Sequence, residues 1–217
     1  MIYLFLAPGF EEVEALAPLD LLRRAGLAVT TVAITTPAGI PATECAVTGS
    51  HRITVMADMS EADFAHYMDI AGEDSAAMPI RAVILPGGMP GATHLDASAV
   101  VDVCLAAARR QGAVIGAICA APLVLGRRGY LNGLRATCYP GFESELKGAQ
   151  MGAQMGAHLG AHPGAHPGAH PGGKVIRDGN IITAAGMGVS LEFGYELIGA
   201  LVSPEKAGEI RAAIQSL

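Results

Sequence analysis

Short apolar runs alternate with amphipathic segments along most of the chain. The run Ile2–Ala7 is apolar throughout and stops at Pro8-Gly9, which is typical of a buried strand. The segment Glu11–Ala25 has apolar residues at positions 13, 16, 19 and 22, with acids in its first turn. It ends on Arg23-Arg24 and is followed by Gly26. This arrangement of charges and apolar residues predicts a helix.

The same alternation continues to the end of the chain. Continuous apolar strands between amphipathic helices are typical of a mainly parallel sheet that is covered on both faces. The predicted fold class is therefore an α/β sandwich of the doubly wound, flavodoxin-like kind. The other predicted strands are Leu27–Ile34, Ile53–Met56 near an edge, Arg81–Leu85, Ala113–Ile118, Leu134–Cys138, Lys174–Arg177 and Ile181–Ala184, and the other predicted helices are Ser98–Arg110, Ala120–Arg128, Val189–Leu201 and Pro204–Gln215.

A low-complexity segment interrupts the alternation at residues 148–173. It repeats a four-residue unit, first GAQM and later GAHP, and contains no charged residue. Glycine at every fourth position, with proline at 163, 167 and 171, opposes a stable helix and gives a strand no alternating face. We expect a flexible surface insertion within a single domain that spans residues 1–217.

Composition excludes several classes of protein. With 217 residues, 51% of them hydrophobic and 16% charged, the chain can bury a sizeable core and is not disordered throughout. Its net charge of -6 argues against nucleic-acid binding. No apolar run is long enough to cross a membrane, and the first residues lack the basic region of a secretion signal. The four cysteines form no CxxC pair, so we expect a reducing, cytoplasmic location.

Cys119 is the strongest candidate for a reactive residue. It lies between a predicted strand and a predicted helix, and its neighbours Gly116, Ala117, Ala120 and Ala121 are small, as a sharp turn that presents a nucleophile requires. The amide groups and dipole of a helix N-terminus favour the thiolate, which is the reactive form. The alternative is a buried structural cysteine. Core packing is the favoured interpretation of Cys104 and Cys138.

Glu14 and the segment Pro86-Gly87-Gly88 are further candidates, because the loops that follow parallel strands meet at one edge of a sheet. A carboxyl at position 14, on the side of the first helix facing the sheet, would be partly buried, have a raised pKa and exchange protons with a substrate. An exposed acid that favours the helix dipole is the alternative. Two glycines after a strand let backbone N–H groups form part of an oxyanion hole, or simply form a turn.

Four strings in the sequence resemble a known family. They are FLAPGFEEVEALAPLDLLRRAGLAV, VILPGG, VIGAICAAPLVL and RDGNIITAAGMGVSLEF. Together they are similar to the ThiJ/PfpI superfamily, in particular to the branch of the parkinsonism-associated protein deglycase and its bacterial relatives. The resemblance covers nearly the whole chain outside the repeat. It implies a flavodoxin-like sandwich, also described as class I glutamine amidotransferase-like, and a homodimer.

The resemblance also assigns roles to the candidate residues. It implies that Cys119 is the reactive cysteine, that Glu14 hydrogen-bonds its sulfur, and that Gly87 or Gly88, together with Ala120, supply the oxyanion donors. Many members of the family have a histidine where this sequence has Tyr139. With an ordinary pKa near 10, a tyrosine is a poor base at neutral pH, although it can donate a hydrogen bond.

The implied activity is that of a glyoxalase III or protein deglycase, in which a cysteine acts on a 2-oxoaldehyde or its adducts without a cofactor. The expected partners are therefore a small carbonyl substrate and a second copy of the chain. The alternative is a sensor of oxidative stress or a stress chaperone in which Cys119 is oxidised. A cysteine-dependent peptidase or amidase is a third possibility, which Tyr139 weakens. His51 lies where relatives have an arginine near the dimer interface.

The repeat raises one further hypothesis. Four of the seven histidines recur in it at a spacing of four, and flexible histidine-rich tracts bind copper, nickel or zinc. Since no cysteine or carboxylate joins the imidazoles, an inert expansion is the favoured interpretation. The histidines are His158, His162, His166 and His170.

Overall fold

The computed structural model describes residues 1–35, 44–71, 79–151 and 174–216. Most predicted elements occur there with small changes at their ends. The strands are β1 Ile2–Leu6, β2 Val29–Ala33, β3 Ala46–Thr48, β4 Thr54–Met56, β5 Ala82–Leu85, β6 Val114–Ile118, β7 Arg135–Ala136, β8 Gln150–Met151, β9 Val175–Asp178 and β10 Ile181–Ala184. The helices are α1 Glu12–Arg24, α2 Glu61–Ala71, α3 Gly91–Ala97, α4 Ala99–Arg110, α5 Pro122–Arg127, α6 Ser190–Leu201 and α7 Pro204–Ala213, with 3-10 turns at Glu143–Glu145 and Met187–Val189.

Six strands form the main sheet in the order β2-β1-β5-β6-β10-β9. All neighbouring pairs are parallel except β9 and β10, which are antiparallel at one edge. The predicted α/β sandwich with a mainly parallel sheet is therefore confirmed. Because β1, β5 and β6 run in the same direction, the loops after them meet at one edge of the sheet, where ligands bind in folds of this kind.

The apolar character of the central strands matches their burial on both faces. Every residue of β1 and β5 is buried, as continuous apolar runs in a parallel sheet predict. Tyr3 and Phe5 pack against Phe64 of α2 on one face, where α4 and α5 also lie. On the other face, Leu4 belongs to a cluster that includes Phe193 of α6 and residues of α1 and α7. Among the described residues, no helix is long and apolar enough to span a bilayer.

The first helix buries Leu19 and Leu22 as its apolar spacing predicts, but its first turn buries two acids in place of Val13. Val13 is 44% exposed, whereas Glu12 and Glu14 are buried. The exchange has a physical reason: both carboxylates find backbone N–H groups to bond, Glu12 at His51 and Glu14 at Gly87. A buried carboxylate is tolerated when such donors replace water.

Other predictions need correction. The strand predicted at Ile53–Met56 shortens to β4 and pairs with β3 in a separate hairpin, outside the main sheet. The strand predicted at Leu134–Cys138 shortens to β7, which pairs with β8. Since β8 is Gln150–Met151, the start of the predicted flexible insertion is ordered; residues 152–173, including its four histidines, lie outside the described residues. Helices α2 and α3 were not predicted.

Candidate active site

Cys119 lies at a sharp turn between β6 and α5. Its φ angle of 64° is in the left-handed region, which a residue with a Cβ rarely adopts. Two backbone hydrogen bonds hold this conformation: the Cys119 N–H donates to the Ala184 carbonyl at 2.8 Å, and the Tyr139 N–H donates to the Cys119 carbonyl at 2.8 Å. The side chain is partly exposed. This is the geometry of a nucleophile elbow, as the small neighbours of Cys119 predict.

Glu14 reaches the same point from the first turn of α1. The side chain is 1% exposed, and its Oε2 accepts a hydrogen bond from the Gly87 N–H at 3.0 Å. The Met187 N–H and the Cys119 thiol also bond to this carboxyl. Of the two alternatives for Glu14, a buried acid facing the sheet and an exposed acid at the helix N-terminus, the structure shows the buried acid. It lies beside the cysteine.

Gly87 packs closely against both Cys119 and Glu14. A Cβ placed on Gly87 would lie 2.6 Å from the Cβ of Cys119 and 2.6 Å from Oε2 of Glu14. Both distances are far below van der Waals contact, so no side chain fits at this position. The glycine after β5 is therefore required by the close approach of Cys119 and Glu14.

The burial of Glu14 changes its acidity. Loss of solvent raises the pKa of Glu14 from 4.5 to about 7, and the charge of Glu11 adds to the effect. The hydrogen bonds from Cys119, Gly87 and Met187 act in the opposite direction, because they stabilise the carboxylate. The pKa is therefore raised, as expected for a carboxyl in this position, and Glu14 gains and loses a proton near neutral pH.

The acidity of Cys119 contradicts the thiolate expected at a helix N-terminus. Burial, and then the charge and hydrogen bond of Glu14, raise the pKa of the Cys119 thiol from 9.0 to about 12. The N–H groups of Gly88 and Ala120 act in the opposite direction, because they stabilise the thiolate, but their effect is smaller. That expectation was wrong because the sulfur is largely buried and a carboxylate lies beside it. The resting pair holds its proton on sulfur, and Glu14 is the group placed to remove it.

Backbone donors surround the sulfur as the resemblance implies, with one change. The N–H groups of Gly88 and Ala120 approach Cys119, whereas the Gly87 N–H is already bonded to Glu14. Of the donors that the resemblance names, Gly88 and Ala120 are thus the ones whose N–H groups approach the sulfur. Gly88 has a φ of +84°, which turns the chain so that its N–H faces the cysteine side of the loop.

A second set of bonds fixes the start of α1 against this loop. The Glu11 N–H donates to the Gly87 carbonyl at 3.0 Å, and Oε2 of Glu11 accepts from the Glu14 N–H at 2.7 Å as the helix cap. The loop after β1, the loop after β5 and the elbow after β6 are thereby joined around one thiol and one carboxyl, as the topology predicts.

An open cleft lies beside this pair. Tyr139 is 50% exposed and lines the cleft with Lys174, Gly186 and Met187. A Cβ on Gly186 would lie 3.2 Å from Cδ2 of Tyr139 and 3.9 Å from Oε1 of Glu14, so this part of the cleft wall packs close to the carboxyl. Tyr139, whose backbone N–H donates to the Cys119 carbonyl, thus forms one wall of this cleft. The Met187 N–H donor to Glu14 was missed, and only the folded chain reveals it, since any residue has an N–H.

Other cysteines and histidines among the described residues are engaged in packing or in hydrogen bonds of their own. Cys104 and Cys138 are buried, and burial raises the pKa of each thiol to about 12, which fits the predicted packing role. His94 bonds through Nδ1 to the Pro8 carbonyl at 2.8 Å. His51 bonds through Nδ1 to Oε2 of Glu12 at 2.9 Å.

One group of side chains in the described residues has the composition of a metal site. Glu11, Glu12 and His51 place one ligand atom each within 4.8 Å of one another. Glu12 is already committed, since Oε1 accepts hydrogen bonds from the N–H groups of His51 at 2.7 Å and Ile53 at 3.4 Å. Burial opposes its ionisation, but these bonds and the His51 ring lower the pKa of Glu12. The group joins the loop at 49–53 to α1.

Comparisons with known proteins agree with this fold. The Parkinson disease protein 7 homolog of Danio rerio is 31% identical over 209 residues, which cover 96% of this chain and 93% of that protein. The crystal structure of Drosophila melanogaster DJ-1beta superposes with a TM-score of 0.76 at 28% identity, covering 100% of this chain and 97% of that one.

A more distant relative carries the name of an enzyme. The glutathione-independent glyoxalase DJR-1.2 of Caenorhabditis elegans is 26% identical over 142 residues, which cover 65% of this chain and 66% of that protein. The model of the DJ-1/PfpI family matches residues 1–200. With this match, the full-length relatives and the shared fold, the chain belongs to the DJ-1/PfpI family.

Proposed function

We propose that the protein converts 2-oxoaldehydes such as methylglyoxal into 2-hydroxy acids, with Cys119 as nucleophile and Glu14 as proton shuttle. The observation that carries this proposal is the pairing of a partly exposed thiol with a buried carboxyl of pKa about 7 at one edge of the sheet. A base of this pKa is half ionised near neutral pH, where general catalysis is most efficient.

The first step forms a hemithioacetal. The sulfur of Cys119 attacks the aldehyde carbon of methylglyoxal while the thiol proton passes to the Glu14 carboxylate. Glu14 then gives this proton to the former carbonyl oxygen, which becomes a hydroxyl, and Glu14 returns to the carboxylate that the next step needs. The N–H groups of Gly88 and Ala120 stabilise the negative charge that develops on that oxygen. Removal of the proton during the attack avoids the cost of forming a free thiolate beside a carboxylate.

The second step moves a hydrogen between adjacent carbons. Glu14 takes the proton from the carbon bonded to sulfur, and the electron pair forms an enediol with the neighbouring carbonyl. Return of the proton to that neighbouring carbon gives a thioester of lactate. Water then cleaves the carbon–sulfur bond, releasing lactate and the thiol. Atoms balance as methylglyoxal plus water, with internal oxidation of one carbon and reduction of the other.

Two further observations support this proposal. The relative from Caenorhabditis elegans is named a glutathione-independent glyoxalase, and it aligns with about two thirds of this chain. Tyr139, rather than a histidine, faces the cleft. A peptidase mechanism needs a base that also protonates a leaving amine, and a phenol is poorly suited to this at neutral pH. The glyoxalase route needs only Glu14.

The test is lactate production by purified protein and methylglyoxal without added thiol. Lactate, and not the loss of methylglyoxal, is measured because any exposed cysteine or arginine forms adducts with the aldehyde. We expect the wild type and Cys104→Ala to produce lactate, and Cys119→Ala to produce none above buffer. Equal rates for Cys119→Ala and the wild type contradict the proposal.

A second candidate function uses the same pair as a sensor of oxidation. A protonated Glu14 is a hydrogen-bond donor beside a partly exposed sulfur, which suits stabilisation of a sulfinate. The raised pKa of the Cys119 thiol disfavours it, since peroxide reacts with the thiolate. Intact mass after mild peroxide, with negligible lactate formation, distinguishes the two: selective addition of two oxygens at Cys119 supports the sensor.

The homodimer implied by the family is part of the proposal. Val13 at the start of α1, Ile53 beside Glu12 and Met56 of β4 are 44%, 54% and 68% exposed. Apolar side chains of this size are candidates for burial against a second copy. We expect Val13→Asp to shift the wild-type dimer to monomer in light-scattering chromatography, and a wild type that elutes as a monomer contradicts the dimer.

A further inference from the structure

Glu11 caps the helix that carries Glu14 and also contacts the loop after β5. Its Oε2 accepts a hydrogen bond from the Glu14 N–H at 2.7 Å, and its own N–H donates to the Gly87 carbonyl at 3.0 Å. The Gly87 N–H in turn donates to Oε2 of Glu14 at 3.0 Å. These three bonds form a closed ring through Glu11, Glu14 and Gly87. A change at Glu11 therefore changes how the Glu14 carboxyl is held.

Glutamate is an unusual residue for the cap of a helix. Serine, threonine, aspartate and asparagine are preferred, because their short side chains reach the N–H groups of the first turn directly. The other side-chain caps in the part of the chain that the structure describes are serines, at the starts of α2, α4 and α7: Ser60, Ser98 and Ser203. A serine at position 11 would also cap α1, so capping alone does not explain a carboxylate there.

The charge of Glu11 is only weakly compensated. No described residue donates a hydrogen bond to its Oε1, and the one basic group within 4.0 Å of it in the described ranges is the His51 ring, whose Nδ1 lies at 3.9 Å. That ring bonds instead to Glu12 at 2.9 Å. The Glu11 side chain is 13% exposed, so water screens its charge only in part. The charge of Glu11 therefore acts on its neighbours.

Glu14 is the neighbour that this charge affects. The titratable groups around the Glu14 carboxyl in the described residues are Glu11 on α1, Cys119 at the elbow and Tyr139, which packs against the adjacent Gly186. Burial is the main cause of the raised pKa of Glu14, and the charge of Glu11 raises this pKa further. A carboxylate that binds its proton more tightly is a stronger base toward the thiol.

We propose that Glu11 is a positioning residue for the reaction at Cys119: its cap bond holds the Glu14 carboxyl against the thiol, and its charge favours transfer of the thiol proton to that carboxyl. This inference rests on the function proposed above. It explains why a glutamate caps α1 where a serine would serve the helix equally well. Glu11 acts through Glu14 and not on the substrate.

A direct titration of Glu14 by NMR tests the effect of the charge without turnover. In protein with ¹³C-labelled glutamate, the carboxyl signal of Glu14 is identified by its absence from Glu14→Gln. Glu11→Gln keeps an oxygen that accepts the Glu14 N–H but removes the charge. We expect the midpoint of the Glu14 titration to move to lower pH by roughly half a unit or more. Asp20→Asn, at an exposed carboxylate further along α1, should leave it unchanged. An unchanged midpoint in folded Glu11→Gln overturns the proposal.

Lactate formation tests the positioning. The inflection of kcat/KM in Glu11→Gln should move to lower pH together with the Glu14 titration, and the plateau at high pH should fall several-fold because Glu14 is then a weaker base. Glu11→Ala, which also loses the cap bond, should have a plateau about tenfold below that of Glu11→Gln. Thermal unfolding shows whether each variant is folded. Equal plateaus in folded Glu11→Ala and Glu11→Gln contradict the positioning role.

The same experiments separate this inference from the proposed function. Absence of lactate from the wild type contradicts the proposed function itself. Lactate from the wild type, with an unchanged Glu14 midpoint in Glu11→Gln, contradicts only the role of Glu11.

Discussion

Replacement of Glu14 by glutamine isolates the cost of an ionisable group in the buried site. The side chain is 1% exposed, and burial raises its pKa from 4.5 to about 7. Each tenfold change in proton affinity corresponds to about 1.4 kcal/mol. Ionisation of Glu14 in the folded protein therefore costs about 3 kcal/mol more than in the unfolded chain. Glutamine has nearly the same shape but does not ionise, so the variant does not incur this cost.

The sign of the effect follows from the direction of the pKa shift. Because the folded-state pKa is raised, the folded protein holds a proton that the unfolded chain releases between pH 4.5 and about 7. The stability of the wild type relative to Glu14→Gln is therefore greatest at and below pH 4.5. It falls as the pH rises and becomes constant above about pH 7, at a difference of up to about 3 kcal/mol in favour of the variant.

Urea unfolding of both proteins between about pH 4.5 and 8.5 measures this difference, since pH effects from all other groups cancel. Glu192→Gln, at an exposed carboxylate of α6, is the matched control and should remain parallel to the wild type. Unfolding free energies of the wild type and Glu14→Gln that stay parallel across this range would refute the assignment of a raised pKa to Glu14.

Three other substitutions test the packing around the site and the core. Gly87→Ala should destabilise the protein by about 1–3 kcal/mol in urea unfolding and abolish lactate formation, because its methyl group overlaps Cys119 and Glu14; Gly208→Ala, in open space, should do neither. Leu105→Ala should cost about 3 kcal/mol in the same assay because the side chain is fully buried, whereas Val103→Ala, 54% exposed on the same helix, should change stability little. Ser98→Ala should cost about 1 kcal/mol by calorimetry, since its Oγ caps α4 at the Val101 N–H.

The sheet could be predicted from the sequence because its central strands are apolar on both faces. β1, β5 and β6 appear almost as predicted, since a continuous apolar run between turn residues has few other uses. The segment at Leu134–Cys138 misled the prediction because Ala136 and Cys138 are buried outside the main sheet. An apolar pattern predicts that a strand is buried, but which strand it pairs with depends on the rest of the fold.

Helix α2 was missed although its start carries a local signal. Ser60 accepts a hydrogen bond from the Asp63 N–H and donates to its carboxylate, a reciprocal cap that the string SEAD encodes. The burial of Glu12 in place of Val13 at the start of α1 was missed for the opposite reason. Carboxylates at Glu12 and Glu14 lie inside because distant N–H groups receive them, and no local pattern reveals such donors.

The candidate site also combines features that the sequence predicts with features that only the folded chain determines. The loops that meet and the elbow at Cys119 follow from sheet topology and from small residues around the cysteine, both of which are visible in the sequence. The raised pKa of the Cys119 thiol was not visible in the sequence, because it depends on how deeply the sulfur is buried and on the carboxylate beside it. Which group holds the proton is a property of the assembled site.

The pH dependence of methylglyoxal turnover tests the roles of Cys119 and Glu14 most directly. If Glu14 is the base that removes the thiol proton, kcat/KM for lactate formation rises with pH and levels off above an inflection near pH 7, where the carboxyl ionises. Glu14→Gln should lose this inflection and be slower by about a hundredfold or more. A wild-type profile that is flat through neutral pH, or an inflection that persists in Glu14→Gln, would contradict the account.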